Sequence, residues 1–213
     1  MYFRRRNTLR LPGYDYTRPG RYLVTVKTRS GESIFGHVQG GRMTLSAVGN
    51  IVNTCWENAP KHFQDFRKGV FQIMPNHLHG IVHILAECTV CVENVIPVGT
   101  PGDTAMKQSD PRRNRRDGRA LPAAGSLSAY VRSFKSAVTK EIHERDLVDG
   151  HVRQYSFYDR VIRNNREYFF TEQYIELNPI MWDLDSDNPE ANTITLEIFE
   201  PSLRTIMKVH IRC

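Results

Sequence analysis

Met74-Pro75-Asn76-His77-Leu78-His79-Gly80-Ile81-Val82-His83-Ile84-Leu85 is the stretch on which the fold turns. After the Pro75-Asn76 break it is rich in Ile, Val and Leu, the composition of a β-strand. Alternate residues of a strand share a face. His77 and His79 therefore point one way and Leu78 the other, into a core, while His83 lies on the histidine face farther along. Two neighbouring imidazoles on a rigid strand make half of a metal site, because neutral ring nitrogens are common ligands for divalent ions. Ordinary half-buried or surface histidines can show the same spacing, so function depends on partners elsewhere in the chain.

Working outward, Tyr22-Leu23-Val24-Thr25-Val26-Lys27 alternates as a strand. Ile34–Val38 and Arg42–Leu45 read as a hairpin about Gln39-Gly40-Gly41. A helix follows from about Ser46 to Asn58, with Val48, Ile51, Val52 and Cys55 on one face. Val70–Met74 is a strand before the histidine strand. From about Ala86 to Gly125 the pattern dissolves into Pro, Gly, Ser, Asp and Arg, too long for a plain connection in a compact domain. Leu127, Tyr130, Val131, Phe134, Val138 and Ile142 then trace an amphipathic helix. Phe157–Ile162 is a strand, and Arg166–Leu177 a helix stopped by Asn178-Pro179. The remainder is polar and turn-rich, with a possible strand at Thr193–Ile198. Strand, helix, paired strands, helix, strand, helix is the order of an α+β ferredoxin-like sandwich. It would have an antiparallel sheet, an extra amino-terminal hairpin and an added carboxy-terminal helix. The expected domain is single, 1–213, with a flexible basic insertion at about 86–125 and an extension from about 183. The histidine strand is expected at the centre of the sheet.

The 213 residues are 40% hydrophobic and 24% charged, as in a soluble globular protein. No apolar run is long enough to span a bilayer, and Met1–Arg6 lacks a signal peptide's apolar segment, so a cytoplasmic protein is expected. The net charge of +6 and pI of about 9.2 suit a polyanionic partner such as nucleic acid. Arg4, Arg5, Arg6 and Arg10 form one basic cluster; Arg112, Arg113, Arg115, Arg116 and Arg119 form another. The four cysteines make no disulfide framework, and Cys88-Thr89-Val90-Cys91 lacks the second pair that a closed zinc site needs.

Tyr174 and Asn178 stand four apart on the last helix, hence on one face. If that face packs over the histidine strand, Asn178 offers an amide oxygen to a metal and Tyr174 a phenol beside it. A phenol titrates near ~10 and is a weak nucleophile at neutral pH; a cation that polarises the electrophile compensates. The electrophile that suits tyrosine, metal and a basic surface together is a DNA phosphodiester. The plainer alternative makes Tyr174 an amphipathic helix residue and Asn178 a C-cap.

Met74–Gly80 resembles the HUH motif (histidine, hydrophobic residue, histidine) of single-tyrosine transposases, and Tyr174–Pro179 resembles their tyrosine helix. Arg4-Arg5-Arg6, Arg10–Tyr16, Pro19-Gly20 and Tyr22 resemble the amino terminus of the REP-associated tyrosine transposase branch. Gly125–Ala129, Phe134–Val138, Tyr158–Asn164 and Asn178–Trp182 extend the resemblance, which covers roughly residues 4 to 190. It implies a metal-dependent enzyme that cleaves and rejoins single-stranded DNA beside hairpins, as a monomer or homodimer. By motif, His77 and His79 bind Mg²⁺ or Mn²⁺ with Asn178 as third ligand, Tyr174 is the nucleophile, and Lys135 contacts phosphate. The chain departs from the pattern at Val152-Arg153-Gln154, where the family has a tryptophan, and in its long arginine-rich insertion and its extension to Cys213. The alternative function is a non-catalytic DNA- or RNA-binding regulator on the same scaffold. A hydrolase using metal-bound water is a third reading, for which no acidic motif stands out.

Overall fold

The computed structural model describes residues 11, 13–29, 31–86, 122–148 and 157–191. The elements in chain order are β1 (Gly20–Lys27), β2 (Gly36–Gln39), β3 (Arg42–Leu45), α1 (Ala47–Asn58), β4 (Phe66–Ile73), β5 (His77–Ile84), α2 (Leu127–Glu144), β6 (Tyr158–Ile162) and α3 (Asn165–Leu177). Short 3₁₀ turns follow at Ala59–His62 and Trp182–Leu184. The main sheet runs β4-β5-β1-β6, antiparallel throughout, and β2 pairs with β3 as a separate hairpin. This is the expected α+β sandwich with its added hairpin and final helix, and the histidine strand is internal to the sheet.

The β1–β5 register decides what each face carries. Val24 opposes Gly80 and Val26 opposes Leu78; Thr25 opposes His79 and Lys27 opposes His77. Tyr22, Val24, Val26, Leu78 and Val82 enter the larger core with α1 and α2. Leu23 and Ile81 enter a smaller cluster with Ile162 and Ile175, against which Tyr174 packs. One strand pair therefore presents a greasy side to two helices and, to α3, a mixed side that is apolar at Leu23 and Ile81 and polar at Thr25 and His79.

Local sequence explains the elements. Ser46 caps α1 by accepting from the Gly49 amide at 3.0 Å, and Ser126 caps α2 by accepting from Ala129 at 3.2 Å. Asn164 caps α3 by accepting from Glu167 at 2.8 Å. The buried stripe of α1 is Val48, Ile51, Val52 and Trp56, with Cys55 at its margin. Trp56, four residues beyond Val52, thus takes the central place that the sequence pattern assigned to Cys55. Its indole lies over Gly80, where any Cβ would come within 2.4 Å of the ring. A side chain at position 80 would push the helix off the sheet.

Two strand boundaries differ from the sequence reading. The second strand starts at Gly36, not Ile34, because Ile34 and Phe35 are occupied in the turn that receives Ser46: Ser46 Oγ donates to the Ile34 carbonyl and the Phe35 amide donates to Pro75. The fourth strand starts at Phe66 rather than Val70. The polar Arg67-Lys68-Gly69 run hides this, since the strand is at the sheet's edge and bulges between Lys68 and Phe71. Exposed cations on an edge strand also discourage pairing with another sheet. Most of the basic insertion, the tryptophan departure at 152–154 and the suggested strand Thr193–Ile198 lie outside the described residues.

Candidate functional site

The polar face of β5 begins at a tight turn in which the Met74 amide donates to the His77 carbonyl at 2.7 Å. Asn76 in that turn is buried, and its side-chain nitrogen donates to the carbonyls of Gly31 (3.0 Å) and Asp187 (2.6 Å). Its Oδ1 is left as an acceptor, so the 2.8 Å contact with His77 Nδ1 is a bond donated by the imidazole. That fixes the tautomer: His77 carries its proton on Nδ1 and presents a bare Nε2 lone pair. The ring is completely buried, and burial, aided by the charge of Lys27, lowers its pKa to about 3. Nε2 is thus a neutral acceptor with no hydrogen-bond partner.

His79 is held from behind by Thr25, its opposite on β1, with Oγ1 and Nδ1 2.7 Å apart. The two imidazole centroids are 4.6 Å apart. Across from them stands α3. The Tyr174 hydroxyl lies 3.4 Å from His79 Nε2, and its ring meets the imidazole edge-on at 5.3 Å. One turn on, Asn178 is buried and its Oδ1 has no hydrogen-bond partner. Its backbone occupies the helix C-cap, but its side-chain oxygen is spent on nothing there.

After Asn178 the chain turns through Trp182–Leu184 and folds back over the histidines. The Trp182 ring centroid is 6.0 Å from that of His77, and Asn188 ties the loop by donating to the Trp182 carbonyl at 3.1 Å. This brings Asp185 Oδ2 to 3.8 Å from His77 Nε2. Burial pushes the Asp185 carboxyl above its usual range, the backbone amide of Asp187 pulls it back, the Asp187 charge raises it and Lys27 lowers it. Lys27 itself pairs with Asp187 at 2.6 Å.

The structure thus gathers Tyr174 with His79 across one gap and leaves the oxygen of Asn178 unclaimed one turn away. His83 shares the histidine face but meets Tyr168 instead, centroid to centroid at 5.6 Å. Lys135 sits on α2, which packs on the opposite side of the sheet, so it shares no site with Tyr174. Burial lowers its pKa to about 8. Arg4, Arg5, Arg6, Arg10, Arg112, Arg113, Arg115 and Arg116 lie outside the described residues, as do Cys88 and Cys91. Three participants escaped sequence reading: Thr25, Asn76 and Asp185. Asn76 had a signal in its place directly before the first histidine. Asp185 had only the run Asp183, Asp185, Asp187, which looks like any polar turn until the loop folds back.

Among the described residues no three His, Cys, Asp or Glu side chains gather as a metal-holding group. The donors that fit a cation are two imidazoles and the Asn178 amide oxygen, with the Asp185 carboxylate nearby. Two of these donors, His77 Nε2 and Asn178 Oδ1, are buried acceptors without a hydrogen-bond partner and so have lone pairs free for a cation.

No family model matches the chain. It is 33% identical over 183 residues to an uncharacterized protein of Haemophilus influenzae, a span of 84% of this chain and 91% of that protein, and it belongs to the same family. Among solved structures it is similar to a REP-associated tyrosine transposase bound to a REP hairpin. That match has a TM-score of 0.49 and 17% identity and covers 85% of this chain and 74% of the other. It is also similar to a Deinococcus radiodurans protein assigned to the transposases, with a TM-score of 0.39, 12% identity, and 78% and 95% coverage. No helix among the described residues is long and apolar enough to cross a membrane.

Proposed function

We propose that the chain is a metal-dependent enzyme that nicks and rejoins single-stranded DNA through a covalent phosphotyrosine, with Tyr174 as the nucleophile. The observation that carries this is the 3.4 Å approach of the Tyr174 hydroxyl to His79 Nε2, beside two buried acceptors that nothing satisfies. A purely structural tyrosine would leave no reason to bury His77 Nε2 and Asn178 Oδ1 unpaired at ~1–3 kcal/mol each. His77, His79 and Asn178 would hold Mg²⁺ or Mn²⁺, with Asp185 as an oxygen donor within reach. Such an ion supplies charge stabilisation at the scissile phosphate and helps ionise the phenol.

The chain's own residues do the rest. Asn76 and Thr25 fix the two imidazole rings, the role that outer hydrogen bonds play for metal-binding histidines. Helix α3 carries Tyr174 to the gap from within the same chain, which favours action in its own subunit. The phenolic oxygen attacks phosphorus, its proton passes to solvent, and the leaving oxygen departs to become a strand-end hydroxyl. Rejoining reverses the step, with a hydroxyl displacing the tyrosine. The net charge of +6 suits a polyphosphate partner and predicts binding that weakens steeply with salt. A strand beside a hairpin is the substrate that the sequence resemblance implies.

The test is adduct formation. Incubated with Mn²⁺ and a labelled hairpin oligonucleotide bearing single-stranded flanks, the protein should form an adduct that survives denaturing electrophoresis. Tyr174→Phe should abolish the adduct and keep hairpin binding; an undiminished adduct in that variant would refute the assignment. Binding without metal-dependent nicking in the unaltered protein would favour the non-catalytic regulator.

A further inference from the structure

The helix that delivers Tyr174 carries groups on the same edge that the proposed chemistry does not use. Arg166, Phe170, Tyr174 and Asn178 recur every four residues, so each sits roughly one turn beyond the last, about 6 Å farther along the axis. The Arg166 guanidinium lies 5.8 Å from the Phe170 ring centroid. Phe169 stands beside Phe170, centroids 5.8 Å apart, and is 55% exposed. Packing gives no reason for an exposed phenylalanine next to a half-buried one at the start of this helix.

The acids nearby are already engaged. Glu167 takes Arg160 at 2.8 Å and the Arg163 amide at 2.9 Å, and Glu172 bonds to Tyr168. Arg163 and Arg166 are exposed and have no ion-pair partner among the described residues. A second pairing of the same kind lies at the sheet end of the helix, where Arg21 sits 4.7 Å over the Tyr168 ring. An exposed ring and half-buried ones beside unneutralised guanidiniums match a chain of flat bases joined by phosphates: the ring stacks and the cation pairs.

We infer that Phe170, flanked by Phe169 and Arg166, is a base-stacking step for single-stranded DNA one helical turn from Tyr174, seating the nucleotide next to the one under attack. This rests on the reading of Tyr174 as acting on a DNA strand. Stacking is indifferent to base identity, so the step would hold the strand in line with the phenol and leave sequence choice to other parts of the chain.

The experiment is fluorescence anisotropy with a labelled 12-nucleotide oligothymidylate and its fully abasic counterpart, in EDTA and in the Tyr174→Phe background, so that neither metal nor covalent capture contributes. The thymidylate should bind about tenfold more tightly than the abasic strand. Phe170→Leu, which keeps the apolar packing, should erase that preference; Phe170→Trp should retain it. Arg166→Gln should flatten the plot of log K against log salt by about 0.7, one single-strand phosphate. An unaltered preference in Phe170→Leu overturns the inference, and it falls alone if the hairpin adduct still forms through Tyr174. Failure of every variant to bind any strand overturns both readings. A wild-type dimer that Phe169→Ser dissociates, with the base preference untouched, would assign this face to a second copy of the chain instead and also overturns it.

Discussion

On one side of the sheet Tyr22, Val24, Val26, Leu78, Val82 and Ile84 are sealed beneath α1 and α2, each at 5% exposure or less. On the other side the same two strands carry Thr25, Lys27, His77 and His79 toward α3 and the loop that follows it. Residues one position apart have opposite tasks. Each large apolar side chain sealed on the first face contributes roughly 1.5–3 kcal/mol of burial. The second face leaves two acceptors unsatisfied at ~1–3 kcal/mol each. The difference teaches why the histidine motif needs this sheet: the packed face supplies stability that the reactive face gives up, through strands too stiff to let the imidazoles drift.

That division can be broken from either side. His77→Leu strikes the reactive face. Nicking should fall about a thousandfold, the scale of several kcal/mol that a bound metal contributes. Stability should move by only about 1 kcal/mol, since the change removes the orphan Nε2 while costing Asn76 its donor. Nicking assays beside urea melts would show it; a collapse of the fold would mean that the histidine is structural. Gly80→Val strikes the packed face. Its Cβ cannot coexist with the Trp56 ring at 2.4 Å, and overpacking should cost up to about 3 kcal/mol. Adding Trp56→Phe should recover part of the loss by clearing the ring, and additive urea midpoints for the pair would mean that the two residues do not meet.

How much of this was legible in the sequence depended on whether the signal was local. Period-two alternation disclosed β1 and β5, and the Leu127-to-Ile142 stripe disclosed α2, because each is set by burial of its own residues. His77, His79, Tyr174 and Asn178 drew notice by residue type and spacing, but neither pair decided anything by itself, and their roles came from the resemblance in motif. Edge strand β4 was half hidden, as its Arg67-Lys68-Gly69 start answers to solvent and a bulge. Trp56 over Gly80 and Asp185 beside His77 were illegible, because each exists only once distant segments meet. Lys135 was read as a phosphate contact, and its place on α2, across the sheet from α3, could not be read from the sequence.

The remaining predictions sharpen the boundary between the faces. Asp185→Asn keeps the shape of the loop and removes the charge 3.8 Å from His77 Nε2. Mn²⁺ affinity, followed by the electron paramagnetic resonance of the free ion, should fall about 10–100-fold, as for other groups that support metal ligands. An unchanged affinity would make Asp185 a loop anchor only.

Lys135→Met has the smallest expected effect and tests the separation most directly. Burial holds the Lys135 ammonium at about 8 in the folded protein, below the ~10.4 of an exposed lysine. Between those values the unfolded chain binds more protons than the folded one, so stability rises with pH across that window. Below about pH 8 both states are charged and the folded state bears the net cost of burying the ammonium. Removing the ammonium should therefore raise Tm at pH 7 by about 2–4 °C, what roughly 1 kcal/mol is worth in a chain of this size. The gain should shrink as pH climbs toward 10. Because α2 and the histidines occupy opposite faces, adduct formation at Tyr174 should not change. Loss of the adduct in a Lys135→Met protein that melts no lower than its parent would show that the two faces are coupled, and the division of labour across the sheet would have to be abandoned.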